Sequence, residues 1–115
     1  MSHRPNILIL MVDQLNGTLF PDGPADWLHA PNLKALAQAS VRFANCYTAS
    51  PLCAPARASF MSGQLPSHTR VYDNAAEFAS DIPTYAHHLR RVGYQTALSG
   101  KMHFVGPDQL HGFEE

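Results

Sequence analysis

Cys53 opens the run Cys-Ala-Pro-Ala-Arg, residues 53–57. Cysteine attacks as its thiolate, and a helix start favours that form through unpaired N–H groups and the positive end of the dipole. Arg57 lies four residues on and shares a helix face with Cys53. A guanidinium beside a nucleophile suits a tetrahedral oxyanion such as sulfate or phosphate. The spacing is Cys-x3-Arg, whereas cysteine phosphatases use Cys-x5-Arg, so their mechanism is not supported. The plain alternative is a small core cysteine with a solvated arginine.

Five more residues are candidates for the same site. Lys101 and His103 stand two apart, so in an extended segment they point the same way. Asp13 follows the apolar run Ile7–Val12, with Gln14 beside it. By itself an Asp at the end of such a run is more often a turn or cap residue. Asn74 sits in a polar, turn-rich stretch, where Asn is common for conformational reasons alone. The remaining histidines point elsewhere. His87 and His88 are consecutive on an expected helix and diverge around it, which suggests a surface role. His103 and His111 lack the paired spacing of a zinc site.

These residues need a frame to bring them together. The run Ile7–Val12 is short and wholly apolar, the pattern of a strand buried on both faces. Residues 14–30 hold Gly17, Pro21, Gly23 and Pro24 and read as loop. Pro31 opens a helix that ends near Ser40. Val41–Tyr47 reads as a second strand, with Cys46 in the core. Ala56–Met61 suits a short helix closed by Gly63. Residues 64–81 are turn-rich. Pro83 opens a third helix stopped by Gly93, and Tyr94–Leu98 is a third strand. This order predicts an α/β fold with a mostly parallel sheet sandwiched by helices. Ligands of such sheets bind beyond the carboxyl ends of the strands, where Asp13, Cys53, Lys101 and His103 all fall.

Composition narrows the function. The 115 residues carry eight Lys+Arg and nine Asp+Glu, a net charge of −1. That leaves no basic field for nucleic acid or an anionic membrane. The longest apolar run is far too short to span a bilayer. No signal peptide is read, so the expected compartment is the cytoplasm. Two cysteines make no disulfide framework.

Taken in order, Arg4-Pro5-Asn6-Ile7-Leu8 through Asp13, Cys53–Arg57 and Gly100-Lys101-Met102-His103 resemble three motifs of the type I sulfatases, in the alkaline phosphatase superfamily. Asp13–Gly17, Tyr72-Asp73-Asn74 and Phe104–Asp108 resemble in particular the branch that acts on choline sulfate. The resemblance implies an α/β fold of which residues 1–115 are the N-terminal part of one catalytic domain. That portion alone is expected to be inactive and poorly soluble.

The resemblance also implies a mechanism. Cys53 is oxidised to formylglycine by a formylglycine-generating enzyme that reads Pro55 and Arg57. The aldehyde hydrate attacks sulfur, the alcohol leaves, and collapse of the adduct releases sulfate. Asp13, Gln14 and residue 53 hold a divalent cation, usually calcium. Gln14 departs from the second Asp of many sulfatases and lowers the site's negative charge. Lys101 bridges the hydrate and a sulfate oxygen, His103 bonds near the nucleophile or substrate, and Asn74 contacts sulfate. Trp27, Phe104 and Phe113 are candidates for an aromatic cage around a quaternary ammonium. The implied substrate is choline sulfate, and the full-length protein is expected to form a homo-oligomer. A phosphonate monoester or phosphodiester hydrolase of the same superfamily is the competing enzyme reading. A truncated, non-catalytic chain is the other.

Overall fold

Proline sets the start of two helices. The computed structural model describes residues 4–20 and 22–115. It places Pro31 at the first position of α1 (Pro31–Ala39) and Pro66 at the first position of α3 (Pro66–Thr69). A first-turn N–H has no intrahelical acceptor, so proline loses nothing there. The same logic explains α2 (Cys53–Ser62), which begins three residues before the expected Ala56 with Pro55 inside its first turn. α2 ends at Gly63, whose φ of +71° lets its N–H reach the Ser59 carbonyl at 2.8 Å. α4 (Tyr85–Arg91) follows Thr84 rather than Pro83. A single 3₁₀ turn spans Gly17–Leu19, capped by Asn16 Oδ1 accepting from the Thr18 N–H at 2.9 Å.

Chain contacts divide the molecule into two units, one ending at Cys46 and one beginning at Tyr47. None of the described residues up to Cys46 is buried. α1 is held locally: Ser40 Oγ donates to the Leu36 carbonyl at 2.7 Å and Lys34 Nζ to the Asp26 carbonyl at 3.0 Å. Arg42 pairs with Asp22 at 2.7 Å, an exposed ion pair worth under about 1 kcal/mol.

The second unit has a core. Ala54, Ala58 and Met61 of α2 face inward at helical spacing and meet Val71, Phe78, Ala86 and Phe113. Tyr85 packs edge-on against Phe60 and Phe113, with centroids 5.7 and 6.1 Å away. α2 packs on both α3 and α4.

Several expectations are corrected here. The runs 7–12, 41–47 and 94–98 are not strands, and no strand occurs among the described residues. A strand exists only as one member of a hydrogen-bonded pair. Residues 7–12 have no such partner among the described residues, and their apolar side chains stand 40–86% exposed. Residues 96–98 come nearest to pairing. Glu114 N–H donates to the Thr96 carbonyl at 2.9 Å, and Leu98 N–H to the Glu115 carbonyl at 2.6 Å. The two segments run in the parallel sense, one residue out of register for a regular ladder. Cys46, expected in the core, is an exposed free thiol because its unit buries nothing. Residues 64–81 contain α3, which the turn-rich composition concealed. His87 is not a plain surface residue: its Nδ1 accepts from the Thr84 N–H at 3.1 Å and caps α4. Among the described residues no helix is long and apolar enough to cross a membrane.

Gly112 tests this packing. Its φ is +98°, and a Cβ there would lie 2.7 Å from both the backbone nitrogen and Nδ1 of His87. Gly112→Ala is expected to destabilise by about 2–4 kcal/mol, through strain plus overpacking. Gly63→Ala, in open space at a similar φ, should cost only about 1 kcal/mol. Urea midpoints of the full-length variants check the difference.

Candidate active site

The N-terminus of α2 gathers five of the seven expected residues. Cys53 is the first residue of the helix and is half-buried. Lys101 Nζ donates to Cys53 Sγ at 3.8 Å, an ammonium set against the expected nucleophile. Arg57, one turn on, is only 6% exposed. Its Nη1 donates to the Lys101 carbonyl at 2.6 Å and lies 3.5 Å from Met102 Sδ. The arginine is therefore not the solvated side chain of the plain alternative. It ties α2 to the loop bearing Lys101.

Asn74 closes the other side. Its Oδ1 accepts from the Ala54 N–H at 3.0 Å, capping a helix whose own N-cap, Leu52, has no side-chain acceptor. Pro55 has no N–H, and Ala56 N–H bonds the Leu52 carbonyl at 3.0 Å. With Oδ1 engaged, what Asn74 can offer a sulfate oxygen is its donor end, Nδ2.

His103 lies 3.0 Å from the Asn74 carbonyl through Nε2. A carbonyl only accepts, so Nε2 carries the proton and donates. Nδ1 is then a lone-pair acceptor, buried and without a partner. The extended-segment argument for Lys101 and His103 needs correcting, because His103 has a φ of +57°. Lys101 reaches Cys53 at the helix end, whereas His103 reaches the backbone of Asn74, whose side chain caps that end. Non-glycine residues with such strain concentrate at functional sites.

Asp13 and Gln14 belong to the unit ending at Cys46. Gln14 has a φ of +57°. A carboxylate beside an amide oxygen is a donor set that a hard cation accepts. Among the described residues no group of three or more His, Cys, Asp or Glu is arranged to hold a metal ion. Phe113 is buried, Phe104 packs beside the core, and Trp27 is 73% exposed in the other unit.

Two cations, the N-terminus of a ten-residue helix and the Asn74 side-chain amide thus stand beside the Cys53 thiol. The chain belongs to the sulfatase family, whose model matches residues 5–114. That family carries an alkaline phosphatase-like α/β fold. The chain is 85% identical to a choline-sulfatase of Rhizobium meliloti over 97% of its length and 22% of the relative's. It is 36% identical to an arylsulfatase of Clostridium perfringens, over 96% of this chain and 23% of that protein. It is 33% identical to an N-acetylglucosamine-6-O-sulfatase of Bacteroides thetaiotaomicron, over 96% and 20%. The chain thus spans 20–23% of the length of these curated relatives.

Variants separate the cap that Asn74 places on Ala54 from the sulfate contact expected of it. Asn74→Ala removes the cap on Ala54 and should cost about 1 kcal/mol of stability. Asn74→Asp keeps the acceptor but sets a negative charge against sulfate. It should hold stability within about 0.5 kcal/mol while raising KM at least about tenfold. Urea midpoints and Michaelis constants on the full-length protein check both.

Proposed function

We propose that the full-length protein carrying this chain hydrolyses choline sulfate to choline and sulfate, using formylglycine made from Cys53. The bond from Lys101 to Cys53, with Arg57 on the Lys101 backbone, Asn74 on the first turn of α2 and His103 on the Asn74 backbone, supports the reaction class. The 85% identity to the Rhizobium choline-sulfatase supports the alcohol half.

Formylglycine supplies the attacking oxygen in a form that need not be released by water at sulfur. Lys101 holds its ammonium at residue 53, where it stabilises an anionic nucleophile and the sulfate oxygens drawn beside it. Arg57 fixes the Lys101 backbone and adds buried positive charge behind the site. Asn74 donates from Nδ2 to a sulfate oxygen. His103 accepts, at Nδ1, the proton of a hydroxyl of the aldehyde hydrate at residue 53. Asp13 and Gln14 would offer oxygen ligands to a divalent cation such as calcium, which would neutralise sulfate charge when bound. Pro55 and Arg57 are buried in the folded unit, so the formylglycine-generating enzyme reads them before α2 packs.

The substrate half is tested by offering the full-length protein choline sulfate and an aryl phosphonate ester. A higher kcat/KM for choline sulfate is expected. Preference for the phosphonate would assign the chain to the phosphonate and phosphodiester hydrolases instead.

A further inference from the structure

His111 is fully buried, yet neither ring nitrogen has a hydrogen-bond partner. An unpaired buried polar group costs about 1–3 kcal/mol, and a phenyl ring would fill the same space without that cost. Packing alone therefore does not account for a histidine. Its ring stacks on Phe78 with centroids 4.3 Å apart, and meets Phe104 edge-on at 4.5 Å. Phe104 directly follows His103, and Lys101 is three residues before it.

The segments on either side are pinned. Phe78 N–H donates to the Val105 carbonyl at 3.1 Å. Gln109 Nε2 donates to the carbonyls of Phe104 and Gly106 at 3.2 and 2.7 Å. Asp108 Oδ1 accepts from the N–H groups of Leu110 and His111, both at 3.0 Å. Thr84 Oγ1 donates to the His111 carbonyl at 2.6 Å, which holds a backbone with φ of +42°. The ring is thus anchored from α4's cap and presses on the loop that carries two site residues.

We propose that His111 is a positioning residue, its buried ring wedged between Phe78 and Phe104 to set the loop that carries Lys101 and His103. The proposal rests on reading the Cys53 site as that of a sulfatase.

Two titratable groups face the ring. Asp108 Oδ2 lies 3.6 Å from Nδ1, and His87 stands on α4. Burial pushes the His111 pKa below its ordinary 6.5, outweighing the carboxylate of Asp108, while His87 pushes it the same way as burial. A seated ring therefore resists protonation, whereas a released ring takes a proton at about 6.5. Seating is at full strength above about pH 6.5 and weakens as pH falls through the lowered value. Acid releases the loop.

The test uses the full-length protein, His111→Ala and His111→Phe, with choline sulfate as substrate. At pH 7.5, His111→Ala should lose about ten- to a hundredfold in kcat with KM within about threefold. His111→Phe should retain kcat within about threefold, and its decline in kcat below pH 6.5 should be shallower than that of the parent. Hydrogen exchange at residues 101–105 should be about tenfold faster in His111→Ala and parental in His111→Phe. Parental kcat and exchange in His111→Ala would overturn the proposal. So would an unchanged acid decline in His111→Phe, or exchange that rises equally throughout the chain. A parent protein that hydrolyses no sulfate ester, while the exchange pattern holds, would overturn the sulfatase reading and leave the placement of the loop by His111 standing.

Discussion

Cys53→Ala is expected to lower kcat/KM on choline sulfate by at least about 10⁴-fold, because alanine lacks the thiol whose oxidation turns Cβ into the aldehyde. Folding should scarcely notice. Cys53 is half-buried at the first position of α2, where alanine is accepted, and the change in stability should stay below about 1 kcal/mol. The Lys101 ammonium loses its sulfur partner but sits at an exposed residue and can be hydrated. Steady-state rates with urea midpoints on the same preparations separate chemistry from folding. Activity within tenfold of the parent would mean that another group attacks sulfur.

Arg57 gives the second large effect, for a different reason. The side chain is 6% exposed and its Nη1–H donates to the Lys101 carbonyl at 2.6 Å. Arg57→Ala breaks this tie between α2 and the loop, leaves a carbonyl without its donor and removes buried positive charge. Catalysis should fall about 10²–10³-fold in kcat/KM, the scale of losing one preorganised electrostatic group. Stability should fall by about 1–3 kcal/mol. Arg57→Lys keeps the charge but not the planar fork, so it should recover stability better than rate. Both are read from kcat/KM beside urea midpoints. Equal rates in Arg57→Ala and the parent would show that the guanidinium does not organise the site.

The site was more legible than the fold. Cys53 and Arg57 stood out by type and spacing, whereas Lys101, His103 and Asn74 stood out through their resemblance to sulfatase motifs; Lys101 reaches Cys53, Arg57 the Lys101 backbone, Asn74 the first turn of α2 and His103 the Asn74 backbone. The bond from Asn74 to Ala54 was not legible, since nothing local says that a residue twenty positions away will cap a helix. Helix starts were misread where proline looked like a breaker: Pro55 sits harmlessly in the first turn of α2, and Pro66 opens α3. The capping of α4 by His87 carried a usable signal, a polar ring three residues after Thr84. The apolar runs were seen correctly as runs, but being a strand is a property of a pair, and no strand pair forms among the described residues. His111 drew attention only as a metal ligand. Its place between two phenyl rings depends on contacts up to thirty-three positions away, which no spacing rule encodes.

The most direct test is the mass of the tryptic peptide Phe43–Arg57, taken from active full-length protein made in its native host. Formylglycine at Cys53 makes this peptide lighter, one sulfur and two hydrogens being lost and one oxygen gained. The account predicts that lighter peptide, in proportion to the activity of the preparation. An active preparation whose Cys53 peptide is entirely thiol would contradict it.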